Sequence, residues 1–360
     1  MYFDQRTALA LSKCHSERGE ESFQSSFPEV NLKQNKIYII DILKAAATVM
    51  IFCYHCNSLL PGEWKWITVF GDTLGNNLFF LISGFSLFPS IRSADLKDFP
   101  GWYLRRIKRI LPLLLLFYLL SYLTGFYSLE PSGLFTVFIY PSLYWFVTGI
   151  LFFYIILFFM GKLLPVKSLP LFCLLLIFLW LINPLKMESY YYIGFAFMLI
   201  GFMIRGILKN GSDEEMLPVP DGRVTISCVI LSLAGLGLFL LLKFRMPSAL
   251  SETGVIRLLF GISIILSLIP PLILGAAHNE NLKCFFEAKP KLYSFLHLTG
   301  NLALPVYMIQ CFNAGMPGYL IGQRIVFPLS FALNFIIVFG GALILENLRL
   351  LIEKRNLLKE

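Results

Sequence analysis

A chain of 360 residues that is 57% apolar and only 14% charged, with 35 phenylalanines and a mean hydropathy of +0.72, is not an ordinary soluble globule. Its net charge of +8 is spread loop by loop, which argues against a nucleic-acid partner. Apolar runs of about 17–22 residues are long enough to cross a hydrocarbon core, and the alternating pattern of an outer-membrane barrel is missing. In chain order, residues 1–36 read as a disordered cytoplasmic tail, rich in Ser, Glu and Gln and without a signal-type apolar core. Ten spans are predicted near 38–60, 73–91, 110–127, 143–161, 169–184, 190–206, 224–242, 255–275, 300–320 and 325–346. The membrane domain is therefore 37–346, followed by a cytoplasmic tail at 347–360.

Placing the N-terminus inside puts 23 of the 30 Lys and Arg on the cytoplasmic side and 5 on the other, with Lys44 and Arg257 inside spans. The positive-inside rule then predicts both termini in the cytoplasm. The expected class is an all-α, polytopic protein of about ten transmembrane helices in the inner (plasma) membrane. Seven cysteines, an odd number and mostly within spans, argue against a disulfide framework.

The first predicted span carries the strongest functional signal. Lys44 and His55 are eleven residues apart, which on a helix places them within about 20° of one face and roughly 16 Å apart. Asp41 and Thr48 fall near the same line. An ionisable group in hydrocarbon is costly and reads by default as functional. There the neutral imidazole is favoured, the form able to accept a proton. Cys53 and Cys56 flank His55, but one C-x-x-C with a single His is a weak zinc signal, and no metal is predicted.

Four further segments stand out. Asn77 is a polar group within the second span and a candidate substrate residue; Ser83 and Gly84 there allow close helix approach. The cluster Arg105-Arg106-Ile107-Lys108-Arg109 opens the third span, with Arg106 and Arg109 at i and i+3, so both guanidinia point one way. Such a pair suits phosphates, as in coenzyme A or an anionic lipid headgroup. Ser142-Leu143-Tyr144-Trp145-Phe146 opens the fourth span; Trp145 fits an interfacial aromatic belt or a sugar-stacking face. In the ninth span, Pro305 predicts a kink and Gln310 is another buried polar group.

Taken together these segments resemble the acyltransferase-3 family of integral membrane O-acyltransferases that act on bacterial surface glycans. Asp41-Ile42-Leu43-Lys44-Ala45-Ala46-Ala47 followed by Tyr54-His55 is similar to the family's D-x-L-R-x-x-A and later His. Gly75 through Phe85 matches G-x-x-x-F-F-x-x-S-G-F, and Arg106 through Pro112 matches R-x-x-R-I-x-P. Tyr144-Trp145-Phe146 resembles L-W-F, and Gly300–Gln310 loosely resembles a late G-x-x-S-Y-x-x-Y-L-x-H. Lys44 replaces the usual Arg and loses its planar fork; Gln310 stands where a His is common, so it can hydrogen-bond but not transfer a proton. Ala303-Leu304-Pro305 departs from the Ser-Tyr stretch. The chain ends about 14 residues after the tenth span, so no appended extracytoplasmic domain is expected.

The resemblance implies a donor acyl-coenzyme A, most simply acetyl-coenzyme A, with no bound cofactor. It implies an acceptor hydroxyl on a cell-envelope polysaccharide or a lipid-linked sugar, with membrane lipids as surroundings. His55 is the expected catalytic residue, as general base or acyl carrier; Lys44, Arg106, Arg109, Asn77, Trp145 and Gln310 are the expected substrate and donor contacts. A glycan or lipid transporter or flippase is the alternative reading, since it too needs many spans, buried polar residues and a kinked helix.

Overall fold

The computed structural model describes residues 36–124, 145–182, 189–208, 221–245, 254–315 and 325–357. Residues 1–35, which make up nearly all of the expected tail, and 142–144, which precede Trp145, lie outside them. Helix α1 (Tyr38–His55) is followed by α2 (Asn76–Ser93) and α3 (Phe99–Leu123). Next come α4 (Trp145–Leu163), α5 (Leu169–Ile182), α6 (Ser189–Leu208), α7 (Gly222–Arg245) and α8 (Gly254–Ala277). The short α9 (Asn279–Ala288) leads into α10 (Pro290–Asn301) and α11 (Ala303–Gly315). Finally, α12 (Leu329–Phe335) passes through a π-helical turn, Ile336–Gly340, into α13 (Gly341–Leu357).

Among the described residues there is no strand, and seven helices are long and apolar enough to cross a membrane. The chain is an all-α multi-pass membrane protein, as its composition predicts. Outward faces such as Leu171, Leu174 and Phe178 of α5, and Leu233 of α7, are exposed apolar surface, suited to lipid because all helix backbone bonds are satisfied internally.

Glycine spacing sets the tightest packing. A Cβ on Gly84 of α2 would collide with the backbone carbonyl of Met198, and one on Gly201 of α6 with that of Leu81. Side-chain-free positions let the two backbones touch, as small residues do between membrane helices. Phe80 packs over Gly194 and Phe88 over Gly206, so both helices run in the same direction. That direction agrees with the predicted second and sixth spans, which three predicted crossings separate. Gly84→Val is accordingly expected to abolish monodisperse protein in detergent size-exclusion chromatography, whereas Gly237→Val, with nothing within 4 Å, is expected to leave the elution peak intact.

α1 is held on two sides. Gly71 and Gly75, in a π-helical turn (Gly71–Gly75) before α2, press against Met50, Tyr54 and Ile51. On the other side, α10 and α11 run alongside α1 in the same direction, since Asp41 meets His297, Lys44 meets Gly300 and Phe52 meets Gln310. The kink predicted from Pro305 is visible as the break at Leu302 between α10 and α11. Proline has no N–H for the carbonyl one turn earlier, at Asn301, so the helix loosens there.

Two sequence expectations shift. α3 begins at Phe99 rather than near 110, because Pro100 occupies the first turn, where its missing N–H costs nothing. The basic cluster therefore rides on the helix itself. Among the described residues, Cys53, Cys56, Cys173, Cys228 and Cys311 are free, whereas Cys284 is disulfide-bonded.

Candidate active site

The side of α1 that carries Asp41 and Lys44 is turned to α10, and further along the Phe52 carbonyl meets Gln310 of α11. At one end, the Asp41 carboxylate is buried, and a single oxygen, Oδ2, accepts two hydrogen bonds. Tyr293 Oη donates at 2.6 Å, and His297 Nδ1 lies at 3.0 Å. A proton on Nδ1 leaves His297 Nε2 as an acceptor for Asn301 Nδ2, 3.0 Å away. Lys36 completes the cluster, 4.0 Å from Asp41 and 4.5 Å above the Tyr293 ring. Burial, and then the hydrogen bond to Asp41, hold the Tyr293 phenol above its ordinary range, so it remains a donor.

One turn along, Lys44 is half-buried, and its Cβ would lie 3.0 Å from a Cβ placed on Gly300. Gly300 is what leaves room for the lysine stem between the helices. Arg109 lies near enough to interact electrostatically with both Lys44 and Glu346. Thr48 turns its hydroxyl back onto the Lys44 carbonyl at 2.8 Å, which satisfies it within the helix.

His55 is the last residue of α1, not two-thirds along a longer helix. Leu60 is extended before Pro61, as the residue ahead of a proline prefers, and a short 3₁₀ turn at Asn57–Leu59 takes up the intervening chain. The imidazole is half-buried and meets the Tyr54 ring edge-on at 5.2 Å. Helix geometry puts it roughly 16 Å from Lys44 along the axis.

Arg106 and Arg109 share a helix, as their spacing predicts, but have different neighbours. Arg106 donates to Ser90 Oγ at 2.8 Å and to the Trp102 carbonyl at 3.0 Å, and its guanidinium lies 3.8 Å from the Trp102 ring centre. It lines a cavity of about 570 Å³ with Ser90, Ser93, Lys97, Trp102 and Arg105. Both arginines act electrostatically on half-buried Tyr154, which is hydrogen-bonded to Ser83. The Ser83 hydroxyl is thus engaged in a link between α2 and α4.

The other expected residues lie further along the bundle. Gln310 is 2% exposed and donates to the Phe52 carbonyl at 2.6 Å, three residues before His55. Asn77 is buried in the first turn of α2. Trp145 opens α4 beside Tyr191, with ring centres 6.0 Å apart. Its neighbour Phe146 packs on Phe80 of α2 and Tyr307 of α11. Among the described residues, no group of three or more His, Cys, Asp or Glu is placed to hold a metal.

Sequence reading missed His297, Tyr293 and Asn301. Their signal was present: His297 and Asn301 are i and i+4, and Tyr293 lies one turn before His297, all on one helical face. A family model described as an acyltransferase domain, Acyl_transf_3, matches residues 37–346. No curated protein and no solved structure matches the chain. A match over most of the chain, on a bundle of membrane-crossing helices whose first carries the polar face described above, identifies it as a member of the acyltransferase-3 family, a multi-pass membrane acyltransferase that moves groups other than amino-acyl groups.

Proposed function

We propose that this acyltransferase moves an acyl group, most simply acetyl, from cytoplasmic acyl-coenzyme A to a sugar hydroxyl of a cell-envelope polysaccharide or its lipid-linked precursor, in the inner membrane. One observation carries the reading: Asp41, Lys44, Thr48 and His55 share one side of α1, whose Asp41 and Lys44 end packs on α10 with Arg109 close to Lys44. A donor bearing phosphates at one end and a thioester at the other has that polarity. Its phosphates would rest on Arg109 and Lys44, and the cavity beside Arg106 adds Lys97 and Arg105 as further cations. The pantetheine arm then extends along the helix towards His55.

At His55 two routes conserve atoms. As general base, the imidazole takes the acceptor O–H proton while the oxygen attacks the thioester carbonyl. The C–O bond forms, the C–S bond breaks, and the thiolate leaves and recovers the proton. As acyl carrier, a ring nitrogen displaces the thiolate first and the hydroxyl then displaces the imidazole. Asn77 and Trp145 belong to the acceptor's surroundings, where an aromatic face and an amide suit a sugar.

Mass spectrometry of envelope glycans from cells with and without the protein tests the proposal. An acyl-sized mass present only with the protein supports it; identical glycans and no acyl-coenzyme A consumption by purified protein would leave the transporter reading in its place. Arg109→Ala is expected to raise the KM for acyl-coenzyme A by about tenfold or more with kcat little changed, since a phosphate contact acts on ground and transition states alike. A pure kcat defect in steady-state assays contradicts the phosphate role.

A further inference from the structure

Three buried amides lie near the His55 end of α1: Gln310, an expected substrate contact, and Asn313 and Asn334, which have had no role so far. Gln310 and Asn313 lie one turn apart on α11 and Asn334 faces them from α12; they are 2%, 3% and 4% exposed. Asn313 Nδ2 donates to Asn334 Oδ1, and Asn334 Nδ2 points at Cys56 Sγ, 3.2 Å away. Gln310 Nε2 is fixed by the Phe52 carbonyl. A carbonyl only accepts, so the Gln310 amide cannot be turned over to satisfy its oxygen. Gln310 Oε1 and Asn313 Oδ1 are left buried without a donor.

An unmatched buried acceptor is costly, and a native protein keeps few of them without a reason. The chemistry of the gap is specific. Two acceptor oxygens need donors, while each amide nitrogen still carries a second N–H that can donate. A carboxylate or a fully ionised phosphate offers acceptors only and would leave both oxygens unmatched. An ammonium group or a metal ion offers no acceptor for the N–H groups. A hydroxyl supplies donor and acceptor at one atom, and a polyol supplies several. Around the amides, the Phe52 ring packs against Phe331, Phe335 and Phe339 at 5.7, 5.6 and 5.3 Å, giving apolar faces of the kind that cover sugar C–H groups. The π-helical turn Ile336–Gly340 begins two residues after Asn334, and such turns recur at functional sites.

We infer that Gln310, Asn313 and Asn334 form the acceptor-hydroxyl subsite, selecting a neutral sugar over an anionic group. This rests on the transfer reading above and names the part of the chain that recognises the acceptor. Phe52 and Cys56, which anchor the amides, bracket His55, so a hydroxyl held here is presented at the end of α1 that carries the imidazole.

The test needs no acyl-coenzyme A. Radiolabelled octyl β-glucoside, below its micelle concentration, is equilibrated with the purified full chain in nanodiscs, with octyl phosphate and 1-octylglycerol as competitors. Saturable glucoside binding resisted by octyl phosphate is expected. Asn313→Leu and Gln310→Met should each weaken it about tenfold, the loss of one or two hydrogen bonds. No saturable binding, or unchanged affinity in both variants, shows a closed structural knot and overturns the subsite. Displacement by octylglycerol as effective as by unlabelled glucoside assigns the amides to a lipid glycerol and overturns the sugar assignment. The wild-type competition stands even if a variant fails to fold. Glucoside binding in a protein that consumes no acyl-coenzyme A would refute the transfer chemistry and leave the subsite in place.

Discussion

His55→Ala is expected to lower acyl transfer by about 10²–10⁴, the range of a general acid–base contribution, with protein yield unchanged. The two halves of that expectation have separate physical grounds. The imidazole ends α1 and is half-buried, with an edge-on ring contact to its own neighbour Tyr54, so truncation opens no large cavity. Activity falls because a hydroxyl at neutral pH is a poor nucleophile until a base takes its proton. His55→Gln keeps a side chain that hydrogen-bonds but cannot accept a proton, and it should be as inactive as the alanine variant. Intact-protein mass spectrometry after mixing with acyl-coenzyme A, without acceptor, separates the two routes. An acyl adduct lost on His55→Ala marks the carrier; no adduct, with transfer still dependent on His55, marks the base. Transfer retained within about threefold in His55→Ala removes the residue from the chemistry.

How much of this was legible in the sequence differs by level. Hydropathy located the helices because twenty apolar residues in a row have few other folds available, and the proline at 305 marked the break at Leu302. The polar face of α1 was legible because helix periodicity depends on one segment alone. Its partners were not. Asp41 joins Tyr293 and His297 across some 250 residues of chain, and nothing local to either segment announces that meeting. Boundaries also suffered: His55 looked deep within a span because Cys56–Leu60 is apolar enough to extend it, whereas Pro61 turns the chain away. The arginine pair was read correctly as i, i+3 on a helix, but Ser90 and Trp102, which draw Arg106 into a different wall from Arg109, come from packing.

Asp41 should show the largest contrast between two substitutions at one site. Asp41→Ala leaves the Tyr293 hydroxyl and the His297 Nδ1–H without their shared acceptor. The loss is expected to be about 2–3 kcal/mol, since hydrogen bonds to a charged group are worth roughly 1.5–3 kcal/mol and the half-exposed His297 recovers part of its bond from water. Asp41→Asn is different, because both donors use the same oxygen, Oδ2. An asparagine with its carbonyl oxygen in that position still accepts from both and loses only the charge facing Lys36 and Lys44. Thermal unfolding in detergent should therefore rank wild type, Asn, then Ala, with the larger step at the last. Activity should follow the same order if the clamp's task is to hold α10, and with it Gly300, against Lys44. The donor KM then rises in Asp41→Ala because the lysine is released from between the helices. If Asp41→Asn is instead as damaging as Asp41→Ala, the negative charge itself matters, and the pair with Lys36 and Lys44, rather than the two hydrogen bonds, is what positions the cationic end of the face.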